Sequence, residues 1–342
     1  MRNKDLILLL LITVFSISII LSGCGEQDLQ KIPDNKTAKF PEKPLTLIVG
    51  SSVGSGSDLV ARSLEKVAQK HLGQPLIIVN KPGGAGALGW NELAEANPDG
   101  YTLSITAGDM LLLPLYGSSK YDYLTALQPL AQINSVPLLL VVQAHQPWQS
   151  LNDLIQAAKA HPGKLKFANG GLGGFTHVLG ESVAQAAGIT IVQVPFTGGG
   201  EAASALLGRH VDLTFVNPMI IKEHIKDGTV RALAVTGDHR LDDPLLGQIP
   251  TFKEQGLEVP LNNWFGVAIP KEVPAELKNK LADYFKAMVS DPDFTTNMNN
   301  LGLKVEYLGP QQSQDKWQAN TQKLNLTLNA SGVLEKIKAQ KK

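Results

Sequence analysis

The sequence predicts an α/β protein built from two parallel-rich sheets. Three observations carry that expectation. Short β-branched runs are followed by a glycine loop and then by helical spacing, and this unit recurs along the chain. The pattern breaks off and restarts after residues 138–142. The chain has 342 residues, enough for two cores, and its 32 glycines and 20 prolines are scattered rather than clustered.

The order begins with a targeting segment. Arg2 and Lys4 precede sixteen uncharged, mostly apolar residues, 6–21, that run into Leu21-Ser22-Gly23-Cys24. A basic start, an apolar centre and small residues at the end read as a secretory signal over residues 1–23. An uncleaved membrane anchor is the alternative for a run of this length. The terminal Leu-Ser-Gly-Cys resembles the lipobox of bacterial lipoproteins, which implies that Cys24 carries lipid and anchors the chain outside the cytoplasm. Cys24 is the only cysteine. Once acylated it leaves no thiol for a disulfide, a zinc cluster or catalysis. The 31 basic and 31 acidic residues balance, so nucleic acid is not an expected partner. Residues 24–41 are polar, without apolar period, and read as a flexible tether.

A first strand is expected over 45–49, then a glycine and serine stretch and helical spacing over 58–72. A second strand over 76–79 leads through 83–86 to a helix near 88–96, and a third strand covers 102–106. After the restart, Ser150 to Asp153 reads as a capping box for a helix reaching residue 161. Strand 166–168, loop 170–174 and helix 176–187 follow. Strand 191–194 leads to loop 197–200 and helix 201–207. Strand 211–216, helix 219–226 and strand 231–235 complete the second set. A strand over 264–269 and two long helices near 274–290 and 311–329 close the chain.

Four strand-to-helix loops carry the glycine, at 51–58, 83–86, 170–174 and 198–200. In a parallel sheet such loops gather at the carboxyl ends of the strands. Each opens a helix whose first N–H groups lack partners and carry partial positive charge. Glycine lets a ligand approach that backbone closely, and the natural guest is an anion. No Lys or Arg lies in these loops, so amides and hydroxyls would meet the charge. Glycines that merely make tight turns are the plainer reading, but four loops of one topology favour binding.

Other motifs compete. Gly50-Ser-Ser-Val-Gly54 fits the nucleophile elbow of a secreted hydrolase using Ser52, although loop residues continue to Ser57 before the helix. Gly84-Ala-Gly-Ala-Leu-Gly89 fits the dinucleotide fingerprint, with Asp109 as a loosely spaced ribose acid; export argues against it. His177 and Glu181 at i+4 could share a metal, but no third ligand is evident. The preferred role of His177 is to fix the 170–174 loop beside the cleft. Asp58 is expected to cap its helix and pair with Arg62. Trp264 is either core or a cleft wall.

These same stretches resemble a known family. Pro44-Leu-Thr-Leu-Ile-Val49, Gly54-Ser-Gly-Ser-Asp-Leu-Val-Ala-Arg62, Asn80-Lys-Pro-Gly-Gly-Ala-Gly86 and Pro98-Asp-Gly-Tyr-Thr-Leu103 are similar to segments of the tripartite tricarboxylate transporter receptors, the Bug or TctC family. So are His177-Val-Leu-Gly-Glu181, Val194-Pro-Phe-Thr-Gly198, Leu207-Gly-Arg-His-Val-Asp212 and Arg231-Ala-Leu-Ala-Val-Thr236. The ordered set runs from about residue 44 to residue 270.

The resemblance implies a type II-like periplasmic-binding-protein fold with a two-strand hinge. Domain 1 would comprise 42–142 and 264–342, and domain 2 would comprise 143–263, with crossings near 138–143 and 264–269. It implies a monomeric receptor without catalysis, cofactor or metal. That receptor would capture a carboxylated organic solute and deliver it to a membrane permease with a large and a small subunit. Service to a sensor is a further reading. Carried over residue by residue, Ser51, Ser55, Gly56, Ser57, Gly84 and Ala85 hold one end of the solute. Gly171, Gly174, Thr176, Thr197, Gly198 and Gly199 hold a carboxylate at the other end, with His177 beside them. Val216 and Asn217, a strand-end pair, face the side chain of the solute. Many relatives have aspartate where Val216 aligns, so an amino-acid solute, which needs a counter-charge, is less expected. The first loop departs too, with Ser51-Ser52-Val53 in place of an apolar-proline run.

Overall fold

The computed structural model describes residues 40–340, apart from 260 and 262. The signal over 1–23, Cys24 and nearly all of the 24–41 tether lie outside the described residues.

The chain forms β1 (Leu45–Val49), α1 (Gly56–Leu72), β2 (Leu76–Asn80), α2 (Ala87–Glu95) and β3 (Thr102–Ala107). Two short helices follow, α3 (Asp109–Leu112) and α4 (Tyr123–Ala126), and then β4 (Leu127–Val136) and β5 (Leu139–Gln143). The next units are α5 (Leu151–Ala160), β6 (Lys166–Asn169), α6 (Phe175–Ala187), β7 (Val192–Pro195) and α7 (Gly199–Leu207). After them come β8 (Leu213–Val216), α8 (Pro218–Lys226) and β9 (Val230–Val235). The last segment holds β10 (Asn263–Pro270), α9 (Ala275–Val289), α10 (Pro292–Asn300), α11 (Pro310–Ala330) and α12 (Val333–Gln340).

Two five-stranded sheets result, ordered β2-β1-β3-β10-β4 and β7-β6-β8-β5-β9. In each, the first three strands are parallel and the fourth runs antiparallel to both neighbours. The sheets are therefore mixed, with four of the five strands sharing a direction, and the two lobes repeat one topology. β1 is apolar almost throughout because helices cover both faces of its sheet. α1 buries Val60, Leu64, Val67 and Ala68 at helical spacing and stops at Gly73, whose φ of 68° suits a left-handed C-cap. Ser150 and Asp153 form the expected capping box.

Three features differ from the sequence reading. β4 was not anticipated. Gln128, Gln132 and Asn134 are buried in it and it carries Pro129, so its composition hides a core strand. The passages between sheets also lie elsewhere. β5 belongs wholly to the second sheet and β10 wholly to the first, so the chain crosses at residues 137–138 and between β9 and β10. Both runs are buried along their full length, which suits sheet strands rather than connectors. Finally, the C-terminal helices do not all stay with the first lobe. α11 packs on β4, whereas α12 packs on α6, with Val333, Leu334 and Ile337 in the core beside Phe167 and Val178. That apolar stripe needs a surface, and the second lobe supplies it.

Candidate ligand-binding cleft

A cavity of about 100 Å³ lies where the two lobes face each other. Its walls are the loops that open the helices. Gly56 starts α1, Phe175 starts α6, Gly199 starts α7, and Asn217 is the N-cap of α8; all four line it.

The first wall is built around Asp58. Ser55, not Asp58, caps α1: its Oγ accepts from Asp58 N at 3.4 Å. Asp58 sits inside the first turn, fully buried. Its Oδ2 accepts from Gly54 N and from Arg62 Nε, each at 2.9 Å, and its Oδ1 accepts from Asn80 Nδ2 at 2.9 Å. Asn80 Nδ2 also donates to Ser51 O at 3.1 Å. Burial acts to raise the Asp58 pKa, but the bonds from Arg62, Gly54 and Asn80 outweigh it and hold the carboxyl below its ordinary value. The expected pairing with Arg62 is present, and the carboxylate also braces the loop. The Ser51 hydroxyl lies 2.5 Å from those of Ser55 and Ser57, so three hydroxyls cluster at the start of α1. In the neighbouring loop Gly83, Gly84 and Gly86 all have positive φ, as does Ala85 at 55°.

The second wall is fixed from behind. Gly170 N donates to Thr176 Oγ1 at 2.9 Å, Gly171 N to Asn169 Oδ1 at 3.0 Å, and Gly173 N to His177 Nδ1 at 2.8 Å. His177 is fully buried and holds the loop rather than facing the cavity. Its neighbour Glu181 is buried too. Glu181 accepts from Gln193 Nε2 at 2.9 Å and from Gln340 Nε2 at 2.8 Å, and it pairs with Lys336 of α12. Among the described residues no group of three or more His, Cys, Asp or Glu side chains is placed to hold a metal.

The two walls touch. Asp109 Oδ1 in the first lobe accepts from Phe175 N in the second at 2.6 Å. A Cβ on Gly171 would lie 3.3 Å from Ala85 Cα, and one on Gly198 would lie 2.7 Å from Ser52 Oγ. Close approach across the cleft thus requires small residues on both sides.

Of the residues expected at the site, Ser51, Ser55, Gly56, Ser57, Ala85, Thr176, Thr197, Gly198, Gly199 and Asn217 line the cavity. Gly84, Gly171, Gly174 and His177 do not; Gly171 and Gly174 abut Ala85 beside it. Val216 lines it as well. Sequence reasoning missed Trp90, Phe175, Phe215, Asn263 and Phe265. Asn263 and Phe265 arrive on β10, far along the chain, and no local signal marks them. Trp264, between them, is core: it is 2% exposed and lies 6.0 Å from the ring of Trp317.

Asp109, weighed as a ribose acid and disfavoured by its spacing and by export, has a different place in the structure. Among the described residues it is the only charged one lining the cavity, and it holds an amide of the opposite lobe. Burial pushes its carboxyl above the ordinary value, and the Phe175 N–H offsets this only in part. The Tyr116 phenol is pushed well up as well, by its own burial and then by the Asp109 charge. Ser52 is 9% exposed, and its Oγ has no hydrogen-bond partner among the described residues. A serine nucleophile needs an adjacent base, and α1 begins only at Gly56.

Known proteins match this arrangement. A model of the tripartite tricarboxylate transporter family receptor matches residues 60–332. BugT of Bordetella pertussis is 35% identical over 236 residues, covering 68% of this chain and 72% of BugT. The structure of the periplasmic binding protein BugD superposes with a TM-score of 0.81 at 28% identity, covering 86% of this chain and 99% of BugD. A protein of R. palustris solved with adipate gives a TM-score of 0.80 at 28% identity, covering 86% and 98%. MatC from Rhodopseudomonas palustris with bound malate gives 0.78 at 25% identity, covering 86% and 100%. The chain belongs to the tripartite tricarboxylate transporter receptor family, the Bug or TctC family of extracytoplasmic solute-binding proteins.

Proposed function

We propose that this receptor captures a carboxylated organic solute in the interlobe cleft and hands it to the large and small subunits of a tripartite tricarboxylate-type permease. It works as a monomer, without catalysis, tethered to the membrane by lipid on Cys24. One observation carries the reading of the cleft: the starts of α1, α6 and α7 and the N-cap of α8 converge on one cavity. Helix N-termini favour anions. Relatives solved with adipate and malate support the carboxylate class. Ser52 without a hydrogen-bonded base supports a non-catalytic role.

Mass spectrometry of solute released from the purified protein, with a thermal-shift screen, tests this. Carboxylates are expected to raise the melting temperature and neutral sugars to leave it unchanged. At a hundredfold excess over Kd the stabilisation is about 2.7 kcal/mol. A screen in which sugars stabilise and carboxylates do not reverses the assignment. Cys24→Ala is expected to abolish labelling by palmitate; persistent labelling would place the lipid elsewhere.

A further inference from the structure

A receptor for carboxylates carries a carboxylate in its own cavity. Asp109, at the start of α3, is the only charged residue of the lining among the described residues, which include no lining lysine or arginine to neutralise it. Its Oδ1 takes the N–H of Phe175, the first amide of α6, from the opposite lobe at 2.6 Å. The positive end of α6 is thereby already matched by a negative charge of the protein. The starts of α1 and α7 and the N-cap of α8 remain for a carboxylate of the solute.

An ionised carboxyl has two oxygens and about four lone-pair sites. Bonds from Phe175 N and from its own N–H leave Asp109 with spare acceptor capacity where it lines the cavity. A second carboxylate of a solute placed there would meet like charge at close range, which is unfavourable. A hydroxyl or an ammonium would instead donate to Asp109. The counter-charge expected at Val216 and absent there lies in the same cavity, on a different element.

We propose that Asp109 is the specificity-determining residue of the cleft. The preferred solute carries one carboxylate for the helix N-termini and a hydrogen-bond donor, hydroxyl or ammonium, for Asp109, and a second carboxylate at that end is rejected. This inference rests on the carboxylate-receptor reading above.

Calorimetric titration of the mature protein with chain-matched series tests it: succinate, glutarate and adipate, their ω-hydroxy monocarboxylates and their ω-amino monocarboxylates. Wild type is expected to bind the donor-bearing members at least tenfold more tightly than the dicarboxylate of equal length. In Asp109→Asn the replacement amide oxygen can still accept from Phe175 N, so the cap on α6 survives. That variant is expected to lose roughly tenfold to a hundredfold for amino acids, the range of a charge-assisted hydrogen bond, and to gain for dicarboxylates. Dicarboxylates that bind wild type as well as their donor-bearing partners overturn the proposal. So does an equal loss across all three series in the variant, which would mark Asp109 as a cap alone. Failure of every series to bind either protein instead sinks the carboxylate reading itself.

Discussion

A Cβ built on Gly56 would lie 1.9 Å from Asn217 Nδ2. Gly56 begins α1 in the first lobe and Asn217 holds the N-cap position of α8 in the second, so the absence of one side chain lets the two walls meet. Gly56→Ala is expected to hold the lobes apart and to weaken solute binding at least tenfold. Small-angle scattering should show the wild-type radius of gyration shrinking with solute, as expected for closure about a hinge, and the variant's staying unchanged. Adding Asn217→Ala should restore part of the closure. If Gly56→Ala binds and closes normally, contact at this point does not limit closure.

The loops act through backbone space. Gly84 has a φ of 57°, and a Cβ there would lie 3.2 Å from Ala87 Cβ. Gly84→Val combines that crowding with a backbone conformation that a branched residue resists. It is expected to weaken binding strongly while most of the fold persists by circular dichroism. Ser55→Ala removes a cap and one hydroxyl of the serine cluster, and a cost of only about 1 kcal/mol in stability or binding is expected. Equal, large losses from both variants would point to a charged site instead.

Glu181 fastens α12 to the second lobe. Its carboxylate pairs with Lys336 and accepts from Gln340, while Gln193, another donor to it, accepts from Asn169 Nδ2 at 3.0 Å. Asn169 in turn accepts from Gly171 N in the binding loop. Glu181→Ala is expected to destabilise the protein by about 1–3 kcal/mol through groups left without partners. It should also expose α12 to limited proteolysis ahead of global unfolding. An unchanged cleavage pattern would show that Val333, Leu334 and Ile337 hold α12 without it.

Asp291 sets an acid limit. It caps α10 by accepting from Asp293 N at 2.9 Å, and it pairs with Lys70 at 2.8 Å and His71 at 2.6 Å on α1. These partners, Lys70 foremost, hold its carboxyl far below the ordinary value. The depressed native pKa means a stabilisation that is complete above the unfolded value, about 4, and is lost as pH falls toward the native one. Asp291→Asn should therefore lower the melting temperature at pH 7, with the gap to wild type narrowing steadily below about pH 4. A gap independent of pH would assign the effect to capping alone.

The strand, glycine-loop and helix units were legible because each depends on neighbours in the chain. The apolar run of β1, the helical stripe of α1 and the Ser150–Asp153 box are local signals, and so are the loops at 51–58, 83–86, 170–174 and 198–200. Those loops hold seven of the ten expected residues that line the cavity, Thr176 and Thr197 sit beside them, and Asn217 was named only through the family resemblance. His177 was read as a loop-holding residue for the same reason: Gly173 lies only four residues away.

Tertiary structure decided the rest. β4 hides behind buried Gln132 and Asn134, whose place in a core depends on partners remote in sequence. β10 inserts between β3 and β4 after a long excursion, and only that pairing brings Asn263 and Phe265 to the cleft. α12 finds its surface on the lobe opposite to the one that receives α11. Asp109 gained its meaning only when the lobes met. A carboxylate's preference depends on the charges and amides around it, and these come from Phe175, 66 positions away.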